Sequence, residues 1–288
     1  MTAYAVQTRP APVPARVPAV ASVAVRRVLA TGSAHGAVLG ASRHAVWIRV
    51  DDDVVVVSAS DATRLPNGIE IAAQAASDPF GSIRHGDRVA FGSASVGFDG
   101  LKVETVRWWD PRPILAPTTA SAAWARVRHL PSSVPGLDAR PLRNALLATS
   151  SSALRSAAAA LLGAGPGLTP VGDDLLAGAL AATRVLGMAV GAGGVSTLLD
   201  ESEGRLIGSA QARTTAFSAA LIRCALRGEV AAPAGAFLRA LAGRGDVDRT
   251  HRRLLSVGHS SGPALAAGIV LAGEALHQLH TTPTGGPQ

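Results

Sequence analysis

A segment rich in glycine and proline runs directly into an apolar stretch in the second half of the chain. Residues 163–174 read GAGPGLTPVGDD. Glycine leaves backbone N–H groups uncovered, and the N-terminal end of a helix carries a partial positive charge. We therefore expect Gly165, Gly167, Thr169 and Gly172 to form a cradle for an anionic ligand at the start of a helix.

The same segment has an alternative role in capping helices. Gly163 would end the preceding helix in a left-handed conformation. Thr169 would be the N-cap of the next helix, with Pro170 in its first position. Asp173 and Asp174 would then complement the helix dipole.

The two adjacent carboxylates restrict the ligand that the loop could hold. They would repel a bare phosphate, so they need a partner: a Mg²⁺ ion, an arginine or a ligand with N–H donors. Arg213 is a candidate because its planar guanidinium suits carboxylate or phosphate, and Thr214 and Thr215 add two hydroxyl groups. The alternative is an ordinary surface arginine followed by threonines that face neighbouring helices.

A third polar turn, GHSSGP at residues 258–263, again precedes an apolar stretch. Its functional interpretation is a second anion cradle, in which His259 donates or accepts a proton near neutral pH. Alternatively, Ser260 or Ser261 caps a helix whose first turn holds the proline. Three similar loops in one helical region favour function more than any one of them alone.

These three segments together resemble the DUF2877 family in order and spacing. The motifs are GPGLTPVGDD at residues 165–174, RTT at 213–215 and GHSSG at 258–262, within a similarity that spans residues 139–279. The family is associated with the AllH-type subunit of oxamate carbamoyltransferase. Val171 departs from the pattern, which typically has a small polar residue there, and this removes one hydroxyl contact.

The resemblance implies a subunit of a multi-subunit carbamoyltransferase in allantoin catabolism, a route of purine degradation. Such an enzyme would transfer a carbamoyl group from oxalurate to phosphate and so produce oxamate and carbamoyl phosphate. The implied partners are the other subunits and one of these small anionic molecules. Asp173, Asp174 and His259 would be catalytic, and the substrate would bind Gly165, Gly167, Thr169, Gly172, Arg213, Thr214, Thr215, Ser260, Ser261 and Gly262.

The residue types agree with this chemistry independently of the resemblance. Phosphate and the oxamate carboxylate suit Arg213 and backbone N–H groups, whereas a carbamoyl NH₂ group suits the acceptors Asp173 or Asp174. Catalysis would consist of positioning and of stabilising the developing negative charge on oxygen.

Two other classes of function are compatible with the sequence. A Mg²⁺-dependent hydrolase or phosphotransferase would use Asp173 and Asp174 as ligands of the metal, the one cofactor that the sequence suggests. A non-catalytic binding or scaffold subunit would hold a ligand in the same loops without converting it.

The elements that must position these loops change character along the chain. Short runs rich in Val and Ile, such as 45–50 and 54–58 on either side of the aspartates at 51–53, predict strands and turns. Further strands are predicted at 88–92 and 101–108. After the prolines at 111–117 the spacing becomes helical. It predicts one long helix at 141–162, a second at 175–189, one or two within 202–228, and further helices at 234–241, 246–257 and 263–279.

The predicted fold class is therefore α+β, with a small β-rich barrel or sandwich followed by an α-helical domain. We predict a disordered leader at 1–21, the β-rich domain at 22–115, the helical domain at 116–280 and a disordered tail at 281–288.

Composition excludes several other classes. The 288 residues are 48% hydrophobic, which excludes intrinsic disorder. The net charge is +7, but long runs of like charge and basic residues interleaved with aromatic ones are missing, so no nucleic-acid partner is expected. The most apolar stretch, 175–195, contains Arg184 and predicts a buried helix rather than a membrane span. The single cysteine, Cys224, indicates a cytoplasmic protein without disulfides.

Overall fold

Alternation of apolar and polar residues folds the first part of the chain into a closed barrel. The computed structural model describes residues 15–30 and 34–281. The strands are β1 (Ala15–Ser22), β2 (Ala34–Ala41), β3 (Ala45–Val50), β4 (Asp53–Ser58), β5 (Gly68–Ile71), β6 (Arg88–Gly92), β7 (Ser95–Phe98) and β8 (Leu101–Trp109). Their order around the barrel is β1-β5-β4-β3-β2-β6-β7-β8, and β1 pairs with β8 in parallel to close it. A short helix, α1 (Arg26–Ala30), follows β1.

The predicted leader is wrong over residues 15–21, which belong to β1. Prolines make this segment resemble a linker, but β1 is hydrogen-bonded on both sides, antiparallel to β5 and parallel to β8. Ala19 and Ala21 alternate toward the buried interior, as a strand requires. Residues 1–14 of the predicted leader and 282–288 of the predicted tail lie outside the described residues, while Thr281 still belongs to the last helix.

Strand β4 is buried on both faces, which explains its continuous run of valines. Val55 and Val57 belong to the barrel core, whereas Val54 and Val56 belong to a separate cluster with Phe217 from the helical region. Arg223 strengthens this contact, since its guanidinium donates to the Asp53 carboxylate and to the carbonyl oxygen of Asp52. The acidic turn that the sequence predicts between β3 and β4 therefore also attaches the barrel to the helices.

The second part of the chain is helical. Its helices are α2 (Ala120–Val127), α3 (Arg140–Leu147), α4 (Ser151–Leu161), α5 (Val171–Ala189), α6 (Gly193–Arg213), α7 (Ala216–Leu226), α8 (Ala232–Leu241), α9 (Val247–Leu255) and α10 (Ser261–Thr281). The predicted α+β class is thus confirmed, with a barrel as its β part. The division into independently folding domains stays a prediction.

The single helix predicted at 141–162 is wrong, because the chain breaks it into α3 and α4. Thr149 adopts a left-handed conformation with φ of 45°. The side chain of Ser150 then accepts the N–H of Ala153 at 3.3 Å and so becomes the N-cap of α4. Adjacent hydroxyl side chains favour caps over helix interiors, which outweighs the helical spacing of the apolar residues here.

Helix α5 lies at the centre of the helical region and packs closely against α10. A Cβ atom at Gly268 of α10 would lie 2.1 Å from the carbonyl oxygen of Leu175, and one at Gly178 of α5 would lie 2.3 Å from that of Leu265. Because no side chain fits in these gaps, glycine is required on both helices for the backbones to approach this closely.

Arg184, the charge within the most apolar stretch, is held by groups of other helices. Its guanidinium donates to the carbonyl oxygen of Leu226 at 2.9 Å and to the Asp200 carboxylate at 2.6 Å. Among the described residues, no helix combines the length and the apolar character that crossing a membrane requires.

The contact between α5 and α10 predicts that alanine substitutions at two glycines of α10 change the free energy of unfolding by different amounts. Gly268→Ala should lower the free energy of unfolding by about 1–3 kcal/mol, because its methyl group meets backbone that must move. Gly273→Ala is the matched control, since its nearest neighbour would be a Val127 methyl group at 3.9 Å. This control should be neutral or stabilising by up to about 1 kcal/mol, because alanine favours helix. Urea denaturation measures both, and equal effects would contradict the close contact.

Candidate functional site

The N-terminal ends of α5, α7 and α10 meet at one place, and this brings three loops together. We call them the glycine loop (residues 163–170), the threonine loop (213–215) and the serine loop (258–263). The hydroxyl groups of Thr169 and Ser261 lie 2.9 Å apart, which joins the glycine and serine loops. The hydroxyl group of Thr215 donates to the carbonyl oxygen of Leu168 at 2.8 Å, which joins the threonine loop to them.

Asp173 holds the glycine and threonine loops together from within. Its side chain is buried, and its Oδ1 accepts the backbone N–H of Gly163 at 2.8 Å. Its Oδ2 accepts the hydroxyl group of Thr214. Both oxygens are thus occupied by the protein, so Asp173 acts as a clamp between loops.

Gly163 is required at this contact for two reasons. Its φ of 76° lies in the left-handed region, where the residue after a helix is usually glycine. A Cβ atom on it would lie 2.5 Å from the carbonyl oxygen of Arg213. The predicted role of Gly163 in ending a helix is therefore confirmed, and the same residue allows the threonine loop to approach.

Asp174 differs from its neighbour because part of its carboxyl group has no partner. The residue is 4% exposed, and its Oδ2 makes no hydrogen bond within the described residues. Burial raises the pKa of this carboxyl to about 7, although side-chain hydrogen bonds from Ser261 and Thr169 oppose the rise. Asp174 can therefore accept a hydrogen bond from a ligand or change its protonation near neutral pH.

The glycine loop is exposed and keeps backbone donors available. The N–H groups of Gly165, Gly167 and Leu168 donate no hydrogen bond within the part of the chain that the structure describes. The N–H of Gly172, by contrast, is used by the carbonyl oxygen of Ala164 at 2.9 Å. In the expected cradle, the N–H groups of Gly165 and Gly167 are thus available to a ligand, whereas that of Gly172 is not.

Arg213 belongs to the threonine loop and His259 to the serine loop, and both residues are exposed. Neither side chain makes a hydrogen bond or ion pair among the described residues. Gly258, Ser260 and Gly262 also match the spacing of a serine nucleophile, GxSxG, but that motif works between a strand and a helix, and here it joins α9 to α10.

The capping role predicted for Thr169 is wrong, whereas a serine does precede α10 as predicted. The N-cap of α5 is Pro170, which makes no side-chain capping bond, so Thr169 is not the cap. Ser260 directly precedes α10, and its backbone oxygen accepts the N–H of Ala264 at 3.1 Å, as an N-cap residue does. The hydroxyl group of Ser261 instead contacts that of Thr169. Thr215 does cap α7, because it accepts the N–H of Ser218 at 3.0 Å.

The hydrogen bonds of Asp173 limit how the aspartate pair could hold a Mg²⁺ ion. Magnesium binds through several oxygen ligands in near-octahedral geometry, and both oxygens of Asp173 already accept protein hydrogen bonds. Within the described residues, no group of three or more His, Cys, Asp or Glu side chains could hold a metal ion. The Mg²⁺ ion that the sequence suggests stays a prediction.

Sequence reasoning missed residues from distant segments that line a cavity beside Asp174. Glu229 follows α7, and Leu65 and Pro66 come from the barrel, between β4 and β5. Nothing in their local sequence marks them, because their proximity to Asp174 depends on how the barrel packs against the helices.

The fold and the site together define a class: α+β proteins in which polar loops meet at the N-terminal ends of packed helices. Residues 161–273 match a family model described as "Oxamate carbamoyltransferase subunit AllH". The match covers less than half of the chain but includes all three loops, and it confirms the resemblance that the motifs carry. No curated protein and no solved structure matches the chain.

The raised pKa of Asp174 predicts a pH dependence of stability. The folded state binds an extra proton between about pH 4 and pH 7, so the free energy of unfolding should fall as the pH rises through this window. One pKa unit corresponds to about 1.4 kcal/mol. Asp174→Asn cannot ionise, and urea denaturation at a series of pH values should show a smaller fall for it.

The control for this experiment is Asp138→Asn. The exposed Asp138 carboxyl has its pKa lowered to about 2, mainly by a side-chain hydrogen bond from Arg140. Asp138→Asn should therefore show the same fall in the free energy of unfolding with rising pH as the wild type. A fall of wild-type size in Asp174→Asn would show that Asp174 does not cause it. Glu229, whose pKa burial also raises, adds to the fall in all three proteins.

Proposed function

We propose that this chain is a subunit of a multi-subunit enzyme that transfers a carbamoyl group between oxamate and phosphate. In the degradative direction, oxalurate and hydrogen phosphate react to give oxamate and carbamoyl phosphate. A phosphate oxygen forms a bond to the carbamoyl carbon, the bond from that carbon to the oxamate nitrogen breaks, and the phosphate proton goes to this nitrogen. The equation balances without an added cofactor.

The observation that carries the proposal is the meeting of the three matched loops around one half-satisfied buried carboxyl. Donors suited to anions lie on the outer side, where Arg213 is exposed and the N–H groups of Gly165 and Gly167 are unused. An acceptor suited to a carbamoyl N–H lies on the inner side, at Asp174. Oxalurate has both kinds of group, a carboxylate and a carbamoyl NH₂.

Each residue of the site has its own role in the proposed reaction. Arg213 and the glycine loop bind the carboxylate or phosphate, and Ser260 adds a hydroxyl group beside them. Asp174 accepts the carbamoyl N–H, and His259 moves the proton between phosphate and the leaving nitrogen. Asp173 is a positioning residue, because it touches only protein groups.

A non-catalytic ligand-binding subunit is the second candidate. The exposure of Arg213 and His259 favours it, because a site with its anion-binding side at the surface requires a further surface to exclude water. Other subunits would provide that surface, and the chemistry would then occur between chains. A cytoplasmic location for the complex agrees with the single, buried, free thiol of Cys224.

Arg213 provides the first test of the proposed function. Arg213→Ala should remove a charge-assisted contact of about 1.5–3 kcal/mol, which corresponds to about ten- to hundredfold weaker binding of the anionic substrate. Arg213→Lys should recover only part of the loss, because an ammonium group lacks the bidentate fork. The measurement is phosphate-dependent cleavage of oxalurate by the reconstituted complex.

The matched control is Arg205→Ala, which removes another exposed arginine from the same helix. It should leave the activity unchanged. Equal activity of the wild type and both Arg213 variants would exclude Arg213 from the site. An assembled complex that turns over normally when Arg213 and Asp174 are both replaced would instead support the scaffold function.

A further inference from the structure

A small, partly open cavity lies beside the loops, between the helices and the barrel. Its volume is about 50 Å³, and Asp174 forms part of its wall. Most of the remaining wall is apolar, and it includes Leu65, Pro66, Ala177, Leu221, Leu265 and Ile269. A water molecule occupies about 30 Å³ in the liquid. The cavity is therefore large enough for one small group and too small for a whole substrate.

The polar side chains on the wall of this cavity are two carboxyl groups, which are acceptors when ionised. Asp174 has one buried oxygen without a partner, which costs free energy unless a donor reaches it. Glu229 is the second carboxyl on the wall, and the thiol of Cys224 interacts with it. No arginine, lysine or histidine of the described residues lines the cavity. Such a wall repels anions and suits a neutral group with N–H donors.

Asp174 lies between the loops and the cavity. The same carboxyl group interacts with Ser261 and Thr169 of the loops and also forms part of the cavity wall. A ligand bound across Asp174 would thus have one end among the exposed donors of the glycine loop and the other end among apolar side chains.

We infer that this cavity is the subsite for the uncharged NH₂ end of a carbamoyl or ureido group, with Oδ2 of Asp174 as its acceptor. The inference rests on the proposed function and specifies the orientation of its substrate. The carbamoyl carbon lies at the mouth of the cavity, within reach of phosphate, and the carboxylate lies outside. Leu65 and Pro66 close the cavity, so the barrel limits the size of the group that enters.

The orientation can be tested by filling the cavity. Ala177→Leu adds three carbon atoms at its wall without changing any charge. Titration calorimetry of the full chain should show at least tenfold weaker binding of oxalurate, and unchanged binding of inorganic phosphate, which stays outside. Ala189→Leu makes the same substitution at the far end of α5 and should change neither affinity.

A second variant removes the acceptor without filling space. Asp174→Asn should weaken oxalurate binding at pH 8 by at least tenfold, because an amide at this position offers one acceptor oxygen and introduces an unwanted donor. Oxalate, which has carboxylates and no N–H group, should bind Ala177→Leu as tightly as the wild type and should bind Asp174→Asn no more weakly. This comparison tests the acceptor even if Ala177→Leu does not fold.

The outcomes separate the inference from the function that it rests on. A folded Ala177→Leu variant that binds oxalurate as tightly as the wild type overturns the cavity subsite and leaves the proposed function intact. Equal weakening of oxalurate, oxalate and phosphate also overturns it, because the effect would then be general. A wild-type chain and complex that bind neither oxalurate nor phosphate would overturn both.

Discussion

The site depends on the two hydrogen bonds that the buried Asp173 carboxylate accepts. One comes from the backbone just after α4, and the other from the threonine just after α6. Since Asp173 lies in the first turn of α5, a single side chain fixes the relative positions of three helix ends. A buried carboxylate is tolerated only when it is hydrogen-bonded. The need to satisfy this charge therefore determines where the glycine and threonine loops lie.

The adjacent carboxylate shows how neighbouring residues in a helix acquire different properties. Asp173 has partners on both oxygens, whereas Asp174 keeps one oxygen without a partner and has a raised pKa because of burial. Successive helical residues point about 100° apart, so one side chain faces the loops and the next reaches the cavity. One acidic pair thus provides both a structural clamp and a group that a ligand can use.

Local sequence patterns predicted much of the fold and the loops of the site. The β3 strand, the acidic turn after it and the central buried helix have strong periodicity or clear turn residues, and they form as predicted. The break between α3 and α4 was not predicted, because the hydroxyl residues Thr149 and Ser150 outweigh the helical spacing of the apolar residues around them. The convergence of Thr169 with Ser261 follows from side-by-side packing of helices. The approach of Leu65 to Asp174 cannot be predicted in this way, because residues separated by more than a hundred positions leave no local signal.

The parallel pairing of β1 with β8 has a consequence for the order in which the chain can fold. The first described strand pairs with the last strand of the barrel, from Ala15 opposite Leu101 to Ser22 opposite Trp109. During synthesis the barrel cannot close until β8 has left the ribosome, and the helices of the second part emerge only after it. A shortened protein that begins at residue 23 would leave the edges of β5 and β8 unpaired, and unpaired edges promote aggregation. The proline-rich beginning of this chain should therefore be shortened, for expression or crystallisation, only upstream of Ala15.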